Sequence, residues 1–212
     1  MRLAILVSGV GSIARAILES GITASFIMAD RECQGLAVGE ALGVPGELVS
    51  RSKFHSGDGR FLRADFSDLI LEKLIEAEVD LVALAGFGTI LEGEIHETYR
   101  GAMLNTHPSL LPSFPGWHAV ESALAFGVKV TGTTVHLVVP EVDAGPILAQ
   151  EPVRVMPGDD LESLHDRIKR TERRLYPAVI AASLRGYSER EDWWMTRQFE
   201  EALEEEVGRC VR

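Results

Sequence analysis

A chain of 212 residues, 46% apolar and 25% charged, has the composition of an ordinary globular protein, which excludes wholesale disorder and fibrous repeats. Its 21 basic and 32 acidic side chains leave a net charge of −11. Such a balance argues against broad binding to a phosphate backbone, so nucleic acid is not an expected partner, whereas one small phosphate in a local pocket is allowed. Cys33 and Cys210 are too few and too far apart for a disulfide scaffold or a CxxC metal site.

Leu3 to Val7 is an apolar run closed by Ser8-Gly9-Val10-Gly11-Ser12, after which Ile13, Ala14, Ile17 and Leu18 recur at helical spacing. That order reads as strand, glycine turn, helix. The first run is too short for the apolar region of a signal peptide, and no stretch approaches the ~20 apolar residues of a membrane span, so a cytoplasmic protein is expected. Thr23 to Met28 reads as a second strand, Leu36 to Leu42 as a short helix and Gly46 to Val49 as a brief third strand. Arg51 to Arg60 has loop composition. In Phe61 to Glu78, Phe66, Leu69, Ile70, Leu74 and Ile75 mark one helical face, and Val79 to Ala85 is a strand ending at Gly86. Strand and amphipathic helix in alternation predict βαβ units, hence a mostly parallel sheet with helices on both faces.

Ala102 to Leu104 is another short strand, running into Asn105 to Gly116, where Pro108, Pro112 and Pro115 predict a defined loop. Val120 to Phe126 reads as a helix. Gly132 to Val139 and Pro146 to Val155 read as strands separated by Pro140 to Gly145. Asp159 to Leu184 is a long helix with Asp159 or Asp160 as N-cap; its apolar stripe includes Leu161, Leu164, Ile168, Leu175, Val179 and Ile180. Arg167 to Arg174 is expected to face outward, and a last helix spans Trp193 to Val207. With no repeat, linker or composition break, a single domain over 1–212 is expected.

In parallel sheets ligands gather beyond the carboxyl ends of the strands. Three loops occupy such ends: Ser8 to Ser12, Gly86 to Leu91, and Asn105 to Gly116. The first suits a phosphate at a helix N-terminus, although it also suits a plain tight turn, and it completes neither GxxxxGK[ST] nor GxGxxG. Asn105 offers an amide donor and His107 an imidazole; one residue apart at a strand end, both can face one crevice, one to hold an oxyanion and one to manage protons. Asp143 is either a turn former or, if the fold brings it to His107, the carboxylate that fixes the imidazole tautomer. His136, alternating with Val135 and Leu137, reads as a satisfied core histidine. His118 lies close to the candidate site in sequence and stays open. His55, His96 and His165 have no companions, and no cluster has metal spacing.

Asn105-Thr-His107-Pro-Ser-Leu-Leu-Pro112, with Leu84-Ala-Gly-Phe87 upstream and Asp143-Ala-Gly145 downstream, resembles the folate-dependent formyltransferases. The resemblance runs from the Ser8 to Ser12 turn to Glu172-Arg-Arg-Leu-Tyr-Pro177 and is closest to the members that formylate glycinamide ribonucleotide in purine synthesis. It implies a single-domain, Rossmann-like formyltransferase fold in which 1–100 is mainly the phosphate-binding half and 101–212 carries the catalytic loop, the folate side and the C-terminal helices. At 212 residues, neither the extra C-terminal domain of tRNA-directed relatives nor the N-terminal domain of the hydrolases is expected. The implied co-substrate is 10-formyltetrahydrofolate and no metal is implied; the implied partners are small molecules, without nucleic acid or membrane, for a monomer or homodimer.

Carried over residue by residue, the resemblance makes Asn105, His107 and Asp143 catalytic. Gly11, Ser12, Ile13, Lys169 and Glu172 would hold the nucleotide, with Glu172 accepting from ribose hydroxyls and Lys169 near the phosphate. Arg63, Phe87, Gly88, Thr89, Ile90, Leu91, Asn105, Val139, Pro140 and Asp143 would hold the folate. Thr134 and His118 are accessory candidates. Two positions depart from the family pattern: Ile13 stands where the turn usually carries Asn, and Gly88-Thr89 where Met-Arg usually follows Ala-Gly-Phe, removing a large side chain and a cation beside the pterin. These departures keep two alternatives open, a formyltransferase for another amine such as a sugar nucleotide, and a catalytically silent folate- or nucleotide-binding relative.

Overall fold

A computed structural model describes residues 1–187 and 192–210. The chain is an α/β protein with a mostly parallel seven-stranded sheet, and it divides into two compact units, Met1–Leu104 and Asn105–Arg212.

In the first unit the strands β1 (Leu3–Val7), β2 (Phe26–Ala29), β3 (Gly46–Leu48) and β4 (Leu81–Leu84) run in the order β3-β2-β1-β4. All three pairings are parallel, with Ile5 opposite both Ile27 and Ala83. Every residue of β1, β2 and β4 is buried, as parallel strands covered on both faces require. The helices are α1 (Ser12–Glu19), α2 (Gln34–Ala41), α3 (Arg63–Glu76) and the single turn α4 (Ile95–Thr98). α3 buries Phe66, Ile70 and Leu74 of the stripe expected of it, together with Leu71, while Leu69 is half-buried and Ile75 exposed. The second strand starts three residues later than the sequence suggests, because Thr23 to Ser25 lead into it outside the ladder. α4 escapes the pattern because a single helical turn carries too few apolar positions to show a period.

β5 (Met103–His107) runs across the division. Asn105, Thr106 and His107, expected in the proline-rich loop, are thus the end of a strand. Thr106 explains the extension, since its hydroxyl lies 3.2 Å from that of Thr133 in β6 (Val130–Leu137). In the second unit β6 pairs antiparallel with β7 (Ile147–Arg154), with an irregularity at Val135/His136. α5 (Ala119–Phe126) and α6 (Leu161–Gly186) pack with these strands around Val120, Val153, Leu164 and Ile168. Asp160 caps α6 in a reciprocal capping box with Ser163, a device contributing about 1 kcal/mol. Arg170 and Arg173 do face outward, but Arg167 and Arg174 are half-buried and paired with Asp159 and Glu151. The expected last helix is a 3-10 turn at Trp193–Met195 followed by α7 (Arg197–Cys210), with Trp193 buried against Tyr187 and Phe199.

Candidate active site

Strand alternation puts Asn105 and His107 on one face of β5 and Thr106 on the other. On the first face, His107 is buried, with Nδ1 3.3 Å from Asp143 Oδ2 and Nε2 2.8 Å from the carbonyl oxygen of Phe114. Both ring nitrogens face acceptors, so only the doubly protonated ring has a proton for each. Asp143 sits at φ 56°, a left-handed conformation that Asp tolerates better than most residues. The following turn folds so closely on β6 that a Cβ at Gly145 would lie 1.8 Å from the carbonyl oxygen of Leu137, which makes glycine obligatory there and aims Asp143 inward. Its Oδ2 also accepts the Gly116 N–H at 2.7 Å. Burial opposes ionisation of Asp143, but the Gly116 N–H and the facing His107 outweigh it and hold the carboxyl below its ordinary range.

His136 is the satisfied, buried histidine that its alternation predicts, and it has a further place in the geometry. It is buried as expected, yet it lies inside the cluster: Nδ1 donates to the Leu137 carbonyl at 2.8 Å, which leaves Nε2 to accept an amide N–H of Asn105 at 3.2 Å. The same Nε2 is 3.6 Å from Asp143 Oδ1. His136 therefore fixes which way the Asn105 amide points, and the second amide hydrogen is left for another acceptor. The missed signal is positional: Asn105, His107 and His136 share a face once β5 and β6 are neighbours.

On the opposite face of β5, Thr106 donates to Glu172 at 3.1 Å. Glu172 is only 4% exposed, and burial pushes its carboxyl up to about 7 against the pull of the Thr106 hydroxyl, Lys169 and Arg173. Two accessory candidates lie elsewhere. The Thr134 hydroxyl is spent on the proline-rich loop, donating to Ser109 O at 2.7 Å and accepting from Leu111 N and Gln150 Nε2. His118 is exposed and hydrogen-bonded to Glu121, three residues along, rather than joining His107.

In the first unit, Gly11 is the N-cap of α1 at φ 74°, where a Cβ would meet Gly35 Cα at 2.6 Å. No side chain caps this helix, so the first-turn N–H groups stay open to an anion. Ile13 is buried in the core and offers a ligand only its backbone. Arg63 lies over the Phe61 ring and 3.8 Å from Glu92. After β4, Phe87 is half-buried, Ile90 exposed and Leu91 buried, while Thr89 turns inward. In the second unit Val139 is half-buried and Pro140 exposed.

A strand-end amide and imidazole, backed by a buried carboxylate, supply donors for an oxyanion together with a proton acceptor, which is what acyl transfer to an amine requires. The sequence matches the formyl transferase family over residues 1–180, and the chain belongs to that family. Within it, the chain is 45% identical over 186 residues to the phosphoribosylglycinamide formyltransferase of Mycobacterium tuberculosis (strain ATCC 25618 / H37Rv), covering 85% of this chain and 84% of that one. The crystal structure of phosphoribosylglycinamide formyltransferase from Streptococcus pneumoniae TIGR4 superposes with a TM-score of 0.80 at 34% identity, covering 86% of this chain and 98% of that one. Glycinamide ribonucleotide transformylase 1 from Symbiobacterium toebii superposes with a TM-score of 0.76 at 38% identity, covering 84% of each chain. Among the described residues, no helix is long and apolar enough to cross a membrane.

Proposed function

We propose that this protein transfers the formyl group of 10-formyltetrahydrofolate to the amine of glycinamide ribonucleotide, acting on small molecules in the cytoplasm. The observation that carries the reading is the contact of Asp143 with His107 beside an Asn105 amide already oriented by His136. The substrate amine attacks the formyl carbon; a C–N bond forms and the carbonyl electron pair moves onto oxygen. Asn105 donates to that oxyanion, and His107 does so when its Nε2 exchanges the Phe114 carbonyl for the oxyanion. The proton released by the amine passes toward Asp143, N10 gains a proton as its bond to the formyl carbon breaks, and tetrahydrofolate leaves. One proton is lost and one gained, so no redox partner is needed.

The uncapped start of α1, through Gly11, Ser12 and the backbone of Ile13, is the proposed phosphate holder, with Lys169 as a second charge. Glu172 is the proposed ribose acceptor, and it exchanges its Thr106 hydrogen bond for a sugar hydroxyl. Phe87, Gly88, Ile90, Leu91, Val139 and Pro140 are proposed for the pterin, and Arg63 for the folate tail.

The test is absorbance of the folate product with purified protein, 10-formyltetrahydrofolate and a panel of amines. Turnover with glycinamide ribonucleotide and none with sugar-nucleotide amines is expected. The reverse preference would overturn the acceptor, and tight binding of both substrates without turnover would overturn the chemistry.

A further inference from the structure

Residue 89 departs from the family pattern, and the structure gives its side chain an unanticipated destination. Asp30 follows directly on β2, and its side chain is fully buried. Arg31 Nε donates to its Oδ1 and Arg31 Nη2 to its Oδ2, each at 2.9 Å, and Thr89 Oγ1 donates to Oδ2 at 2.5 Å. The Ser8 hydroxyl also helps to keep this carboxylate ionised. Ser8 Oγ in turn accepts the Gly88 N–H at 2.6 Å, and Ser8 N donates to Gly86 O at 3.2 Å. The buried carboxylate after β2 thereby holds Thr89 of the loop after β4, while Ser8, the first residue of the glycine turn after β1, holds Gly86 and Gly88 of the same loop directly.

We propose that Thr89 is a positioning residue that, through Asp30 and Ser8, clamps the folate-side loop Gly86 to Leu91 to the phosphate turn Ser8 to Ser12, so that a ligand ordering one segment pre-orders the other. This rests on the assignment of those segments to folate and nucleotide made above. The small Thr hydroxyl shares the carboxylate with Arg31, whereas an arginine at 89 would bring a second guanidinium to oxygens that Arg31 already occupies on both sides. Hydrogen bonds to a buried anion are among the stronger neutral-donor contacts, so the tie is firm. Coupling follows because a loop already restrained loses less freedom when its own ligand arrives. Of the residues in this network, none belongs to the Asn105, His107, Asp143 cluster, so the effect falls on binding rather than on the chemical step.

The test compares wild type with Thr89→Val, Thr89→Ser and Ser8→Ala. Steady-state kinetics give KM for both substrates, and calorimetry gives the affinity for glycinamide ribonucleotide with and without 10-formylfolate. In wild type, the folate is expected to tighten the nucleotide several-fold. Thr89→Val is expected to raise the folate KM about tenfold, to change kcat by less than about threefold and to abolish the tightening. Thr89→Ser restores both, and Ser8→Ala reproduces the Val phenotype with the Thr89 to Asp30 bond intact. A Thr89→Val protein that melts earlier but keeps wild-type KM and coupling, or a Thr89→Ser protein that does not recover, overturns the proposal. Calorimetry reads the coupling whether or not formyl transfer occurs, so an inactive wild type that still shows it refutes the functional reading and not the clamp.

Discussion

Asp30 in the first unit and Asp143 in the second are both shielded carboxylates beyond the end of a strand, and both stay ionised against the cost of burial. Their partners differ in kind. Asp30 is held by a permanent cation, Arg31, and by the Thr89 hydroxyl. Asp143 faces two imidazoles and a single backbone N–H. A carboxylate locked to a guanidinium cannot manage protons, because Arg does not release one. A carboxylate among imidazoles can, because an imidazole nitrogen can give up or accept a proton. The same side chain thus serves as a fixed anchor in one unit and, in the function proposed above, as part of a proton-handling cluster in the other.

The largest effect expected on that contrast is at Asn105. Asn105→Ala removes the proposed oxyanion donor and is expected to lower kcat by about 10²- to 10³-fold, with melting temperature nearly unchanged. A drop of less than fivefold would break the assignment of the second unit to chemistry. Next comes Glu172, whose carboxyl is raised from 4.5 to about 7, a difference of roughly 3 kcal/mol. Because the folded value lies above the unfolded one, the associated stability is complete below pH 4.5 and is lost as pH rises through about 7. Glu172→Gln is expected to flatten the melting temperature between pH 5 and 8 and to exceed wild type at the alkaline end, read by scanning calorimetry.

Asp30→Asn sharpens the comparison from the other side. It weakens the Arg31 pair and is expected to cost about 2 kcal/mol of stability, while kcat falls less than roughly tenfold. A chemical denaturation curve with an unchanged midpoint would contradict the anchor role. The smallest effect is at His136. His136→Leu frees the Asn105 amide to rotate and is expected to lower kcat about tenfold at unchanged KM, with partial recovery in His136→Gln, whose amide can accept the same N–H.

The sequence makes much of the frame legible. β1 matches its apolar run at both ends, and the capped start of α6 falls where Asp160 marks it. The catalytic candidates were also visible as a polar Asn-x-His at a strand end. Their geometry was hidden for physical reasons. β5 continues through polar residues because Thr106 finds a hydroxyl on β6 and a carboxylate on α6, partners distant in sequence. The approach of Asp143 to His107 depends on a left-handed turn and on a glycine with no room for a Cβ. His136 looked like core because alternation reports burial and not what a buried ring touches. Thr89 looked like a lost cation because its partner, Asp30, lies on another strand end.

The central claim is that Asp143 acts through His107 in formyl transfer. Asp143→Asn preserves size, tolerates the same backbone conformation and keeps an oxygen for Gly116, removing the charge and turning the other oxygen into an N–H donor. The decisive measurement is the single-turnover rate of formyl transfer from 10-formyltetrahydrofolate to glycinamide ribonucleotide in wild type and in this variant, with both substrates bound. The account predicts a loss of about 10²-fold or more in the variant at undiminished substrate binding. A variant rate within a few-fold of wild type would contradict it.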